Sequence, residues 1–245
     1  MEALKAAAGR IEAMAARTGM EVVWLRTVPS GLSIEHLSFF CGGQAFFLHL
    51  FNAASRAVFP CGGTAEGLLR IARGWRGFAC VMPLRPGAGP NGTPWEPALP
   101  DWSLLDAVSG APVQPEELAL AEPLPVTAWE CHDFAVQAVR QTLVRHGVKA
   151  AAWNSDPEVQ PAIWIAGPLG RPKWAAVGEA LGSPFHVPVP DFLREYALNM
   201  AARGLRGWWA PVGFSPLVSK PGRPEGRCRG EGASVDYRGL MPLPC

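Results

Sequence analysis

Few side chains in this sequence are placed to do chemistry, and they are scattered. In SDPEVQP, Asp156 and Glu158 stand two apart in a segment whose prolines block helix, so an extended backbone points both carboxylates the same way. Such a pair of hard oxygen donors suits a divalent cation, whereas in a plain turn it is only solvated. Glu35, His36 and His49 fall on a predicted hairpin, where a carboxylate and an imidazole facing each other could serve as acid and base. Strand alternation opposes that pairing. It sets His36, Ser38 and Phe40 on one face and Glu35, Leu37 and Phe39 on the other, the pattern of a half-solvated hairpin.

Cys131 and His132 adjoin, but neighbours on a helix point about 100° apart. None of the six cysteines (Cys41, Cys61, Cys80, Cys131, Cys228, Cys245) has the C-x-x-C spacing that aims two thiolates at one metal. The expectation is no metal, with a buried thiol at Cys131 beside a polar or capping histidine. The C-terminal stretch sets Lys220, Arg223, Arg227 and Arg229 among glycines, a pattern able to follow a phosphate backbone. Trp208 and Trp209, adjacent in a predicted strand, face opposite ways and are candidates for a protein interface, or for core packing between sheet and helices. The nucleotide patterns G-x-x-x-x-G-K-[ST] and strand-linked G-x-G-x-x-G are missing, as is the acyl-transfer pattern G-x-S-x-G.

Composition bounds what can position these groups. The chain has 245 residues, 49% of them hydrophobic and 18% charged, which suits one or two packed cores and excludes wholesale disorder. Lys+Arg 22 against Asp+Glu 21 leaves a net charge of +1, so a wholly basic surface is excluded and only a local patch remains open. No apolar run approaches about 18 residues, and Glu2, Lys5, Arg10, Glu12 and Arg17 interrupt the start of the chain. A cytoplasmic protein with reduced thiols and no membrane span is expected. A composition rich in Ala, Gly, Pro and Arg fits a bacterial source.

Apolar periodicity divides the chain into two similar halves. Residues 1–86 read as an Ala-rich helix stopped at Gly19, a strand in EVVWLR, a hairpin turning at Gly42-Gly43, a helix after Thr64 and the strand GFACVMPL. Residues 87–127, dense in proline and glycine, read as a linker with a short ordered stretch around DWSLLDAVSG. Residues 128–245 repeat the pattern, with a helix stopped at Gly147, the strands KAAAW, AIWIAG and KWAAVGEA, a helix capped by Asp191, the strand GWWAPVGFSPL and a basic hairpin loop. The predicted fold is mixed α/β: two tandem α-β-β-β-α-β modules whose mixed sheets are flanked by helices.

That element order resembles the core of the PD-(D/E)XK, or restriction-endonuclease-like, nucleases. GGQAFFLHLFN is similar to their strand of form "gg-x-ffiEvKn". The resemblance implies an Asp and a Glu-x-Lys on the second and third strands, converging on Mg²⁺ with the lysine positioning water. The residues depart from it. His49 and Phe51 stand where Glu and Lys belong, and the second half offers only Asp156, Glu158, Lys173 and Glu179 as a rearranged set. The reading is therefore a non-catalytic interaction or structural subunit, a degenerate nuclease-like adaptor with protein partners and no cofactor. The alternatives are an Mg²⁺-dependent nuclease using that rearranged set, and nucleic-acid binding through the C-terminal loop.

Overall fold

A computed structural model describes residues 2–26, 37–57, 59, 64–87, 94–120, 122, 124–167, 170–181, 187–216, 229 and 233–244. The chain forms two compact units, residues 1–124 and 125–245.

Unit 1 opens with helix α1 (Glu2–Thr18), which buries Ala3, Ala7, Ile11, Met14 and Ala15 as one stripe and ends at Gly19 in the left-handed region, φ 69°. Strand β1 (Val22–Arg26) pairs antiparallel with β2 (Leu37–Cys41), and β2 with β3 (Gln44–Asn52). The β2–β3 turn is Gly42-Gly43, both at positive φ, and a Cβ on Gly42 would stand 2.6 Å from that of Ala119. Helix α2 (Ala65–Gly74) starts at Thr64, whose side chain accepts from Gly67 N at 3.0 Å, and leads to β4 (Phe78–Pro86), parallel to β3. Phe39, Phe46, Leu48, Leu50, Met82 and Leu84 pack under α1. On the other face Phe47 meets Trp75, at the end of α2, edge-on with centroids 5.4 Å apart. The hairpin is therefore covered on both faces, not half-solvated: Ser38 and His49 are buried with the rest.

The expected linker belongs to unit 1. Within it β5 (Trp95–Pro97) and β6 (Leu105–Asp106) pair antiparallel along the outer edge of β4, and Trp102, Leu104 and Val113 join the core under α1. Proline is tolerated because these are edge strands, where a missing N–H breaks no interior ladder.

Unit 2 repeats the order: α3 (Ala128–Arg145), β7 (Ala150–Trp153), β8 (Ile163–Ile165), β9 (Lys173–Leu181), α4 (Asp191–Ala201) and β10 (Gly207–Pro216). Then β11 (Ala233–Tyr237) and β12 (Met241–Pro242) both pair with β10. The sheet order β7-β8-β9-β10-β11 matches β1-β2-β3-β4-β5, with β9 and β10 parallel as β3 and β4 are. Both units are thus a mixed six-stranded sheet of identical topology. In unit 2, Ala135, Val136, Val139 and Leu143 of α3 pack on Ile163, Ala175, Val177, Val212 and Phe214, while Leu193, Ala197 and Met200 of α4 pack on Trp174, Ala176 and Trp209. Helix α4 carries no side-chain cap; Pro190 precedes it and Asp191 is its first residue.

Trp208 and Trp209 follow from this layering. Successive strand residues face opposite sides of the sheet, and here both sides are covered. Trp209 is buried under α4 with its Nε1 donating to Val187 O at 3.3 Å, so it belongs to the core and not to an interface. Trp208 is half-buried on the α3 side, with Lys173 Nζ 5.2 Å from its ring centroid.

Candidate functional site

The polar interior of the protein is concentrated in unit 2, where the start of α3 meets the far end of β9. Thr127 caps α3: its hydroxyl accepts from Glu130 N at 3.2 Å while its own N–H donates to Glu130 Oε2 at 2.6 Å. The Glu130 carboxylate is fully buried, and Arg229 grips it with Nε on Oε1 at 2.7 Å and Nη2 on Oε2 at 3.3 Å. Two residues on, His132 is 2% exposed, and its Nδ1 lies 2.8 Å from Glu179 Oε2. Its Nε2 has no hydrogen-bond partner among the described residues. Asp133, also buried, accepts from Gln137 Nε2 at 3.4 Å. Glu179 is in register with Val212, and Val212 with Tyr237, whose hydroxyl burial pushes up to about 12, so it stays a neutral phenol.

Sequence reasoning found Glu179 and missed its partner. His132 is the buried member of the Cys131–His132 pair and Cys131 the half-exposed one, the reverse of expectation. Arg229 does not follow a phosphate backbone; it lies inside unit 2 on Glu130. Lys220, Arg223 and Arg227 fall outside the described residues, as do Glu35 and His36. His49 is buried on β3, facing the α2 side.

The rearranged nuclease set does not assemble. Lys173 and Glu179 sit at opposite ends of β9, about 20 Å apart at the rise of a strand. Asp156 closes a local turn, its Oδ1 accepting Glu158 N at 2.9 Å and its backbone carbonyl accepting Val159 N at 3.0 Å. Among the described residues no three His, Cys, Asp or Glu side chains gather as metal ligands. As placed, these residues do not fit an Mg²⁺ centre.

The two units place different residues at the same point. His132 and Leu4 lie equally far ahead of the helix-ending glycines Gly147 and Gly19. Glu179 and Leu50 occupy matching registers on β9 and β3, counted from Gly207 and Gly77. Unit 1 is apolar at this point, Leu50 fully buried and Leu4 packed against the same core. The fold does not require the polar pair; unit 2 carries it in addition.

Residues 129–243, rather less than half the chain and all within unit 2, match a family described as "Domain of unknown function (DUF8840)". That segment runs from the first turn of α3 to the end of β12, so one copy of the topology corresponds to one family segment. No curated protein and no solved structure matches the chain.

Proposed function

We propose that the protein is a non-catalytic interaction subunit of a larger bacterial assembly, working in the cytoplasm. The observation that carries this reading is how unit 2 uses its ionisable side chains. Glu130 is held between the α3 cap and Arg229, Glu179 is held by His132, and Lys173 lies on Trp208. Each serves as a structural tie, and Lys173 and Glu179, two of the four residues expected to perform hydrolysis, are kept about 20 Å apart along β9. The likeness to restriction-endonuclease cores is supported by the α-β-β-β-α-β order of both units. Two further observations accord with a cytoplasmic address. Among the described residues no helix is long and apolar enough to cross a membrane, and Cys41 and Cys80 are free buried thiols.

The test is purification of the tagged full-length protein from its native cells, with and without nuclease treatment, followed by a cleavage assay with Mg²⁺ on DNA and RNA. A protein partner retained in fixed stoichiometry after nuclease, without cleavage, is the expected result. Mg²⁺-dependent cleavage abolished by Glu179→Gln or Asp156→Ala would overturn the reading.

A further inference from the structure

We propose that unit 2 docks the phosphate backbone of a nucleic acid on the end of its sheet formed by the α3–β7, β8–β9 and α4–β10 connections. The reading above names no partner chemistry; this one does, and stands independently of it.

Strands β7, β9 and β10 all start at this end, and both helices finish there. Each connection turns on a glycine at positive φ, Gly147 at 71°, Gly170 at 72° and Gly204 at 77°, with nothing within 4 Å of where a Cβ would stand. Basic residues accompany every one of these glycines: Arg145 and Lys149 around the first, Arg171 and Lys173 after the second, Arg203 and Arg206 around the third. None of the three connections contains an Asp or Glu. Arg145, Lys149, Arg171, Arg203 and Arg206 are exposed, and none has an ion-pair partner among the described residues.

Register makes these positions neighbours. Ala166 N donates to Lys149 O at 2.9 Å, Ile165 opposes Lys173, and Trp174 N donates to Arg206 O at 3.3 Å. At a strand spacing of about 4.8 Å the row from β7 to β10 is about 15 Å wide. Arg145 and Arg203 stand at the ends of helices on opposite faces and broaden it.

Two bland accounts fall short. Cations at helix C-termini stabilise the macrodipole, which accounts for Arg145 and Arg203 but not for Lys149, Arg171 and Arg206, which precede strands. The dipoles of the two helices return about half a negative charge each, too little to neutralise five exposed cations. Nor does the topology demand a basic end. At the same end of unit 1, exposed Arg73 and Arg76 beside the α2–β4 connection parallel Arg203 and Arg206, but Arg17 is paired with Asp101 at 3.0 Å, Glu21 stands in the α1–β1 connection, and the β2–β3 turn is uncharged.

Arginine predominates, and its forked guanidinium matches phosphate. The bare glycines let a sugar–phosphate backbone come close to the protein main chain. Among the described residues the three connections expose no large hydrophobic side chain, and Val144 and Leu198, in the last turns of α3 and α4, stand on opposite faces of the sheet, too little for the apolar core of a protein interface or for insertion into a membrane.

The test uses the full-length protein and a labelled oligonucleotide, single-stranded and duplex, with binding followed by fluorescence anisotropy between about 50 and 200 mM salt. The comparison variant carries Arg145→Gln, Arg171→Gln, Arg203→Gln and Arg206→Gln, all exposed, with circular dichroism confirming the fold. Binding should weaken with salt, and the variant should lose about ten-fold or more in affinity together with most of the salt slope. Arg223→Gln with Arg227→Gln should leave binding intact. Three results would overturn the proposal: wild-type and quadruple-variant binding alike, binding lost only in the Arg223/Arg227 variant, or capture by anionic vesicles or polyglutamate as tight as by the oligonucleotide.

Discussion

Arg229 and Glu130 are 99 positions apart in the chain and 2.7 Å apart in space, both side chains inside unit 2. Glu130 is committed before Arg229 reaches it, since its carboxylate also takes the Thr127 N–H of the helix cap. The ion pair therefore ties Arg229 to the first turn of α3. Removing one partner leaves the other charged in a dry site, so Arg229→Ala should cost about 3–5 kcal/mol. Replacing both with apolar residues of similar volume should cost less than Arg229→Ala alone. Urea denaturation with hydrogen exchange read on the α3 amides measures both, and a double variant as unstable as the single would mean the pair contributes net attraction.

The His132–Glu179 pair admits a sharper comparison, because Leu4 and Leu50 show that the same fold packs leucine there. His132→Leu alone strands a carboxylate beside an apolar wall, and Glu179→Leu alone strands a buried imidazole. We expect each single change to destabilise unit 2 by about 1–3 kcal/mol and the double change to be more stable than either. Strictly additive losses in a double-mutant cycle would show that the two side chains do not act as a unit.

The element order was legible because its punctuation is local: Thr64 caps a helix, Gly19 and Gly147 end helices, and Gly42-Gly43 closes a hairpin. Order around DWSLLDAVSG, where β6 lies, was legible, but β5 and β6 as strands were not, since a three-residue and a two-residue edge strand in a proline-rich stretch show no period of two. Their existence is dictated by the open edge of β4, a tertiary fact. The polar site was half legible. Glu179 stands out in an apolar strand, but its partner His132 reads as a surface residue until α3 is laid on the sheet. The Arg229–Glu130 tie has no local signature at all, because nothing near Arg229 distinguishes it from the other basic residues of its segment.

Gly178 is fixed by Trp209. The indole lies across it, and a Cβ would stand 2.2 Å from the ring, as one on Gly207 would from the ring of Trp174. Gly178→Ala must push either β9 or a wholly buried indole, so a loss of about 1–3 kcal/mol is expected. Trp209→Leu, destabilising by itself, should recover part of that loss when combined with Gly178→Ala. Thermal denaturation of the four proteins checks this, and equal losses from Gly178→Ala with and without Trp209 would exclude the clash as the cause.

Two thiols of unit 1 give it an alkaline limit. Burial, reinforced by the Asp106 carboxylate, pushes Cys80 from its ordinary 9.0 up to about 12, and burial with Glu116 pushes Cys41 up to about 11. The folded state keeps both thiols protonated where the unfolded chain releases them. The unfolded state thus binds fewer protons above pH 9.0, and stability must fall as pH rises from there towards 11 and 12. Below 9.0 the contribution is fully present. Cys80→Ala removes one titrating group at the cost of a small cavity, so it should lower stability at neutral pH yet lose less on going to alkaline pH than the wild type does. Denaturation midpoints on both sides of that range provide the measurement. Parallel losses in the two proteins would mean that Cys80 ionises in the folded state as readily as in the unfolded one, and its thiol would then react with alkylating reagents without prior unfolding.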